Sequence, residues 1–232
     1  MSALFETIGA HDGRLLLWEL HVDRLASGAR RLEIEMPSLQ DLRSRGEQEL
    51  VRSGHDVLRM ALSPPAVQGD SARISLTTRS RIARSSPLRL HVASERRDAS
   101  HRDSDLKLED RGFLDGAQKE AVAAGADEAV LLDGDGRVLE TWGHNLFFLR
   151  GSRWCTPGEN GLFLPGIARR LLIEEVHAEL GDWRLEDLEA SPVLFVTNAV
   201  YGARPAYLTP EQQAASGTDL ASVWNSILAR LM

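Results

Sequence analysis

The sequence predicts an α+β fold in two lobes, and three observations predict it. Runs with helical spacing and runs with strand composition are mixed along the chain without strict alternation, which disfavours a doubly wound sheet. A polar run, "SERRDASHRDSD" at 94–105, has no apolar face in either period and reads as a linker or mobile loop between the lobes. After it the pattern restarts, so residues 1–98 form a smaller N-terminal lobe and 99–232 a larger C-terminal one. The 232 residues suffice for this; 43% hydrophobic and 26% charged residues are ordinary globular values.

The elements follow in order. Residues 3–8 and 14–18 read as strands flanking "AHDG", whose Asp12-Gly13 pair signals a hairpin. Val22, Leu25, Ala26, Ala29 and Leu32 recur at helical spacing over 19–32, and a second helix covers 39–52. The runs "DVLRMAL", "ARISLTT" and "LRLHVA" are strand-like, broken by Pro64-Pro65, Gly69 and Pro87. Beyond 105 come a helix over 113–124 and strands at 128–132, 137–142, 145–150 and 153–155, the first two joined by "DGDG". A helix over 166–180, a strand at 193–198 and a helix over 219–231 complete the set.

Composition excludes several functions. A net charge of −7 gives no electrostatic reason for binding nucleic acid or an anionic membrane. No run approaches the roughly 20 apolar residues that cross a bilayer, and no basic-then-apolar leader opens the sequence, so a cytoplasmic protein is expected. Cys155 is the single cysteine, which rules out an internal disulfide and a cysteine zinc site; it reads as a packed strand residue. "LLDGDGRVLETW" fails as a calcium loop, because aligning Gly136 with the required glycine puts Leu131 and Trp142 at ligand positions. No phosphate loop with Lys-Ser or Lys-Thr and no zinc-spaced histidine pair occurs, so no metal is expected.

Four segments could carry chemistry, though each has a plainer reading. Pro165-Gly166 opens a helical run in "LPGIARRLL", and the free N–H groups of Gly166, Ile167 and Ala168 could hold a phosphate, as any helix start could. Arg24 in "HVDRL" and Lys107 in "DSDLKLEDR" would ordinarily be surface charges. Glu140 in "RVLETWGHNLFF" is a carboxylate inside a buried-looking strand; alone it would be an edge residue facing water.

Together, "HVDRL", "LK", the stretch from Gly125 to Arg169 and "VTNAVYGARP" occur in an order that resembles the class-IV aminotransferases, pyridoxal phosphate enzymes of fold type IV. The resemblance runs from Phe5 to about Pro205. It implies a cofactor, pyridoxal 5′-phosphate, in the cleft between two lobes, a small amino substrate and a homodimer. It further implies that Lys107 is the amine condensing with the cofactor aldehyde, since only a primary amine does so reversibly and then serves as a base. Glu140 would lie against the pyridine nitrogen and keep the ring electron-withdrawing. Arg24, Gly166, Ile167, Ala168 and Asn198 would hold the phosphate. Family members often carry Thr where Ala168 stands, so one hydroxyl contact is missing.

Within the family, Thr7 in "FETIGAHDG", Arg111 four residues after the lysine, and the Asn198-Ala199 pair resemble aminodeoxychorismate lyase, with Lys107 and Thr7 as its catalytic residues. That enzyme converts 4-amino-4-deoxychorismate to 4-aminobenzoate and pyruvate. Two departures keep an amino acid aminotransferase as the alternative: family members carry further strand residues ahead of the Phe-Glu-Thr region, and "SPPAVQGD" stands where the lyase has a Gly- and Arg-rich loop. Arg59 and Arg73 are candidate substrate-carboxylate contacts in its place. Trp142 and His144 replace small residues and could line or fill the substrate space, with Trp142 alternatively plain packing, which keeps a non-catalytic cofactor-binding paralogue in view.

Overall fold

A computed structural model describes residues 2–65, 71–82, 87–101, 103–214 and 220–231. Its chain divides into two compact units. The first unit contains β1 (Leu4–His11), β2 (Arg14–Leu15), α1 (Trp18–Arg31), α2 (Leu42–Ser53), β3 (Val57–Ser63) and β4 (Arg73–Arg79), and it reclaims the later segment Leu106–Asp110. Its sheet has the order β2-β1-β3-β4. Asp12 and Gly13 both take positive φ, 47° and 76°, the geometry that turns β1 tightly into β2 as the Asp-Gly pair predicts. β4 shows period-two burial, with Arg73, Ser75, Thr77 and Arg79 exposed and Ile74 and Leu76 packed on the core. α1 packs close to β1, since a Cβ on Gly28 would stand 3.0 Å from a Leu4 methyl.

The returning segment docks on β1 through its backbone. Phe5 N–H donates to the Lys107 carbonyl at 2.9 Å, Glu109 N–H donates to the Ala3 carbonyl at 2.8 Å, and Leu4 and Leu108 form an antiparallel bridge. Leu106 and Leu108 pack against the same core as Leu4, Ile8 and Leu25. Lys107 is thereby held in the first unit, between two anchored leucines.

The second unit begins with β5 (Leu88–Arg97), α3 (Gly112–Ala123), β6 (Glu128–Asp133), β7 (Val138–Thr141), β8 (Asn145–Arg150) and β9 (Arg153–Pro157). It continues with α4 (Ile167–Val176), β10 (Glu179–Gly181), α5 (Leu185–Glu189), β11 (Leu194–Asn198), β12 (Gly202–Tyr207), α6 (Pro210–Ala214) and α7 (Leu220–Leu231). Eight strands form one sheet in the order β10-β9-β8-β11-β12-β5-β6-β7. The "DGDG" turn joins antiparallel β6 and β7, with Asp133 Oδ1 accepting the Asp135 and Arg137 N–H groups. Helices and strands mix as the sequence predicts, and the fold is α+β.

Several elements differ from the sequence reading. The run expected to be a linker from residue 94 continues β5 as far as Arg97, which is buried. α4 stops at Val176, where His177 takes a left-handed conformation (φ 49°) as its C-cap, and the chain turns into β10, parallel to β9. β10, α5, β12 and α6 have no counterpart in the expected elements. Gly69 and part of "SPPAVQGD" (residues 66–70) lie outside the described residues.

Candidate active site

In the first unit the site is a charged cluster under β1. Glu6, 1% exposed, sits on β1 and takes both Arg24 arms: Arg24 Nε donates to Oε1 at 2.8 Å and Nη2 to Oε2 at 2.7 Å. His21 Nδ1 lies 2.7 Å from the same Oε2. His21 and Arg24 stand three residues apart on α1, so both reach one carboxylate from one helix face. A carboxylate only accepts, so the ring proton sits on Nδ1. His21 Nε2 is buried and has no hydrogen-bond partner among the described residues. Burial alone would raise the Glu6 carboxyl, but the Arg24 charge and hydrogen bonds and then His21 outweigh it, holding it at about 2 against an ordinary 4.5. Burial holds the His21 ring below its ordinary 6.5, opposed by Glu6 and assisted by Arg24 and Lys107.

Lys107 is half-buried, with Nζ 4.6 Å from the centre of the Phe5 ring. Arg59 lies over the same ring at 3.8 Å and reaches Glu109 Oε1 at 2.9 Å. Thr7 and Arg59 are cross-strand partners, which puts them on one face of the sheet. Arg73 pairs with Ser63 at the far end of β4, whereas Arg59 pairs with Thr77, and the structure does not bring these two arginines together.

In the second unit the central feature is Glu140. It is 7% exposed on β7 and pairs with Arg97, 3% exposed, whose Nη1 donates to Oε1 at 2.8 Å and to the Leu162 carbonyl at 2.6 Å. Leu164 N–H reaches Oε2 at 3.4 Å and ties the carboxylate to the loop that enters α4. At that entry Gly166 is the N-cap, and a Cβ on it would fall 2.1 Å from Asn145 Oδ1. Asn145 in turn donates from Nδ2 to the Leu164 carbonyl at 2.8 Å. A side chain there would have to displace the Asn145 amide, and the first N–H groups of α4, at Ile167 and Ala168, have no acceptor within the helix.

Asn198 closes a turn at the end of β11, with Oδ1 accepting Val200 and Tyr201 N–H and Nδ2 donating to the Gly143 carbonyl at 3.1 Å. Trp142 is half-buried. Its Nε1 donates to Asp115 at 2.9 Å, and Arg111 stacks on its ring at 4.7 Å and donates to its carbonyl. His144 is buried with Nδ1 on Glu128 at 2.8 Å, and Thr141 Oγ1 donates to the same carboxylate at 2.7 Å.

Sequence reasoning missed Glu6, Arg97 and Glu128, three buried charged residues each tied to a predicted one. Glu6 and Glu128 carry a usable signal, a Glu adjoining apolar residues in a strand-like run. Arg97 carries none, because it lies in a run of charges.

The family model for amino-transferase class IV matches residues 3–207, and the chain belongs to that family. An Aquifex aeolicus protein named "Probable branched-chain-amino-acid aminotransferase" is 33% identical over 93 residues, 40% of this chain and 28% of that protein, so the match spans under a third of the relative's length. Among solved structures, the "Putative 4-amino-4-deoxychorismate lyase" of Legionella pneumophila superposes with a TM-score of 0.87 at 23% identity, covering 100% of this chain and 91% of that one. A T.th. branched-chain amino acid aminotransferase with pyridoxamine 5′-phosphate gives 0.83 at 22% identity, covering 99% and 84%. These two likenesses establish the fold. Among the described residues no helix is long and apolar enough to cross a membrane.

Proposed function

We propose that the protein is a pyridoxal 5′-phosphate-dependent lyase that converts 4-amino-4-deoxychorismate to 4-aminobenzoate and pyruvate, with Lys107 and Thr7 as its catalytic residues. The observation that carries it is the Phe5 N–H to Lys107 carbonyl bond, which fixes the lysine beside the strand bearing Thr7. Family membership and the name of the Legionella relative support the reading.

The residues present fit the cofactor's functional groups. Glu140 is a buried carboxylate kept in place by a guanidinium, suited to a ring nitrogen that must stay protonated. Gly166, the first-turn N–H groups of Ile167 and Ala168, the Asn198 amide, whose Nδ2 carries a second N–H beside the one given to Gly143, and the partly exposed Arg24 suit a phosphate. When bound, the cofactor supplies an aldehyde that captures amines and a ring that draws electrons from the substrate carbon. Lys107 would provide the primary amine for that aldehyde and, as the base, would take the proton from the substrate ring at its Nζ, with pyruvate as the leaving group. Thr7 offers a hydroxyl on the same strand, and Arg59, its cross-strand partner, faces the substrate carboxylates; Trp142 borders the substrate and Arg73 is a more remote candidate. A homodimer in the cytoplasm and a place in folate synthesis belong to the same proposal.

The second reading is an amino acid aminotransferase of the branched-chain or D-amino acid type, favoured by the names of the relatives that match in sequence. There Lys107 would carry the proton between two carbons instead.

One experiment separates these readings. Protein incubated with pyridoxal 5′-phosphate and reduced with borohydride should carry the added mass on Lys107, and Lys107→Ala should carry none while remaining folded. Pyruvate release from aminodeoxychorismate selects the lyase, 2-oxo acid formation from amino acids selects the transferase, and neither product leaves a cofactor-binding paralogue. Normal turnover by Lys107→Ala overturns the assignment.

A further inference from the structure

His21 holds a basic ring nitrogen inside the buried charge cluster of the first unit, beside Glu6 and Arg24. Its Nδ1 is fixed on Glu6, its Nε2 is buried with no hydrogen-bond partner among the described residues, and the residue is 1% exposed. The titratable and charged groups around it are Glu6 from β1, Arg24 from its own helix and Lys107 from the returning segment. Arg24, the residue proposed above for the phosphate, does not present a bare positive charge. Two of its nitrogens already neutralise Glu6.

We infer that His21 is the charge-balancing residue of the anion site: a phosphate dianion arriving at Arg24 is accompanied by a proton that binds His21 Nε2. With the Glu6–Arg24 pair already neutral, a dianion entering the cluster meets one further positive charge, Lys107, against its own two, and in a buried setting the remaining charge is balanced by a proton on a nearby basic atom. Glu6 cannot supply that site, since the Arg24 pair holds its carboxyl at about 2. His21 starts below its ordinary value and so is neutral at pH 8, ready to be raised by an incoming anion. Linkage makes the converse hold: whatever protonates His21 tightens anion binding by the same factor.

This rests on the assignment of Arg24 to the phosphate, and the test keeps the two apart. The probe is pyridoxamine 5′-phosphate, which has the dianion but no aldehyde, so Lys107 chemistry does not contribute protons. Titration calorimetry at pH 8 in buffers of different ionisation enthalpy reads proton uptake directly. The expected result is uptake of about one proton per ligand bound, with the His21 Nε2 nitrogen resonance moving from the unprotonated to the protonated range. Pyridoxamine without the phosphate reports any proton taken up by the ring itself; it should leave the His21 resonance unmoved and show about one proton less uptake. His21→Gln should retain binding with weaker affinity and lose the uptake, and its affinity should stop rising as pH falls from 8 to 7. Tight binding without uptake or without the resonance shift overturns the inference and leaves the assignment of Arg24 standing. Uptake that survives in folded His21→Gln also overturns it. Binding unaffected by Arg24→Ala, or no binding at all, overturns both.

Discussion

Arg97 and Glu140, 43 positions apart in sequence, form a buried ion pair in which Arg97 Nη1 lies 2.8 Å from Glu140 Oε1. Removing one partner strands the other charge away from water. Arg97→Ala should therefore lower the unfolding free energy by about 3–5 kcal/mol, while a double variant with both residues replaced by Met and Leu of similar volume recovers most of the loss. Denaturant midpoints of the wild type, Arg97→Ala and the double variant check this, and a double variant no more stable than Arg97→Ala would contradict it.

The same pair shows where the sequence stops being legible. β1, α1, β3, β4 and β6 to β9 follow from period, apolar runs and turn chemistry: β4 buries one face, whereas β6 and β7 are buried on both. Arg97 does not, since nothing in "SERRDASHRDSD" says that one of its arginines points inward; that is decided by a carboxylate on β7. β12 is hidden because it contains Gly202 and Pro205, residues that usually argue against a strand. Pro205 is tolerated because β5 pairs with β12 only at Ala206 and Tyr207, beyond the proline. The candidate site is legible as a list of residues, but the partners that hold them, Glu6, Arg97 and Glu128, are matters of tertiary burial.

Acid should weaken the protein through Glu6. Its folded value, about 2, lies below the ordinary 4.5, so its contribution is complete above pH 4.5 and is lost as pH falls toward 2. The difference corresponds to roughly 3 kcal/mol. His21, also lowered by burial, adds a loss that begins as pH falls through its ordinary 6.5. Unfolding free energies measured from pH 8 to 2 should show both limbs, and Glu6→Gln should flatten the lower one.

Gly166 is a packing requirement rather than a backbone one, since its φ of −67° suits any residue. Gly166→Ala should cost about 1–3 kcal/mol by driving Asn145 off the Leu164 carbonyl. In Asn145→Ala the same change should cost far less. A double-mutant cycle by thermal unfolding measures that coupling.

Cys155 is fully buried in β9, and burial raises its thiol above the ordinary range. It should resist alkylation in the folded protein and react only at the rate of unfolding. Fast labelling under native conditions would contradict the packing described for the second unit.

The arrangement around Glu6 also limits what protein engineers can transplant. Copying the "HVDRL" helix into an unrelated scaffold moves a cation and an imidazole but leaves behind the strand acid that both were shaped to meet. A graft confined to the helix would install an orphaned guanidinium, so the smallest portable module is a discontinuous one, helix and strand together.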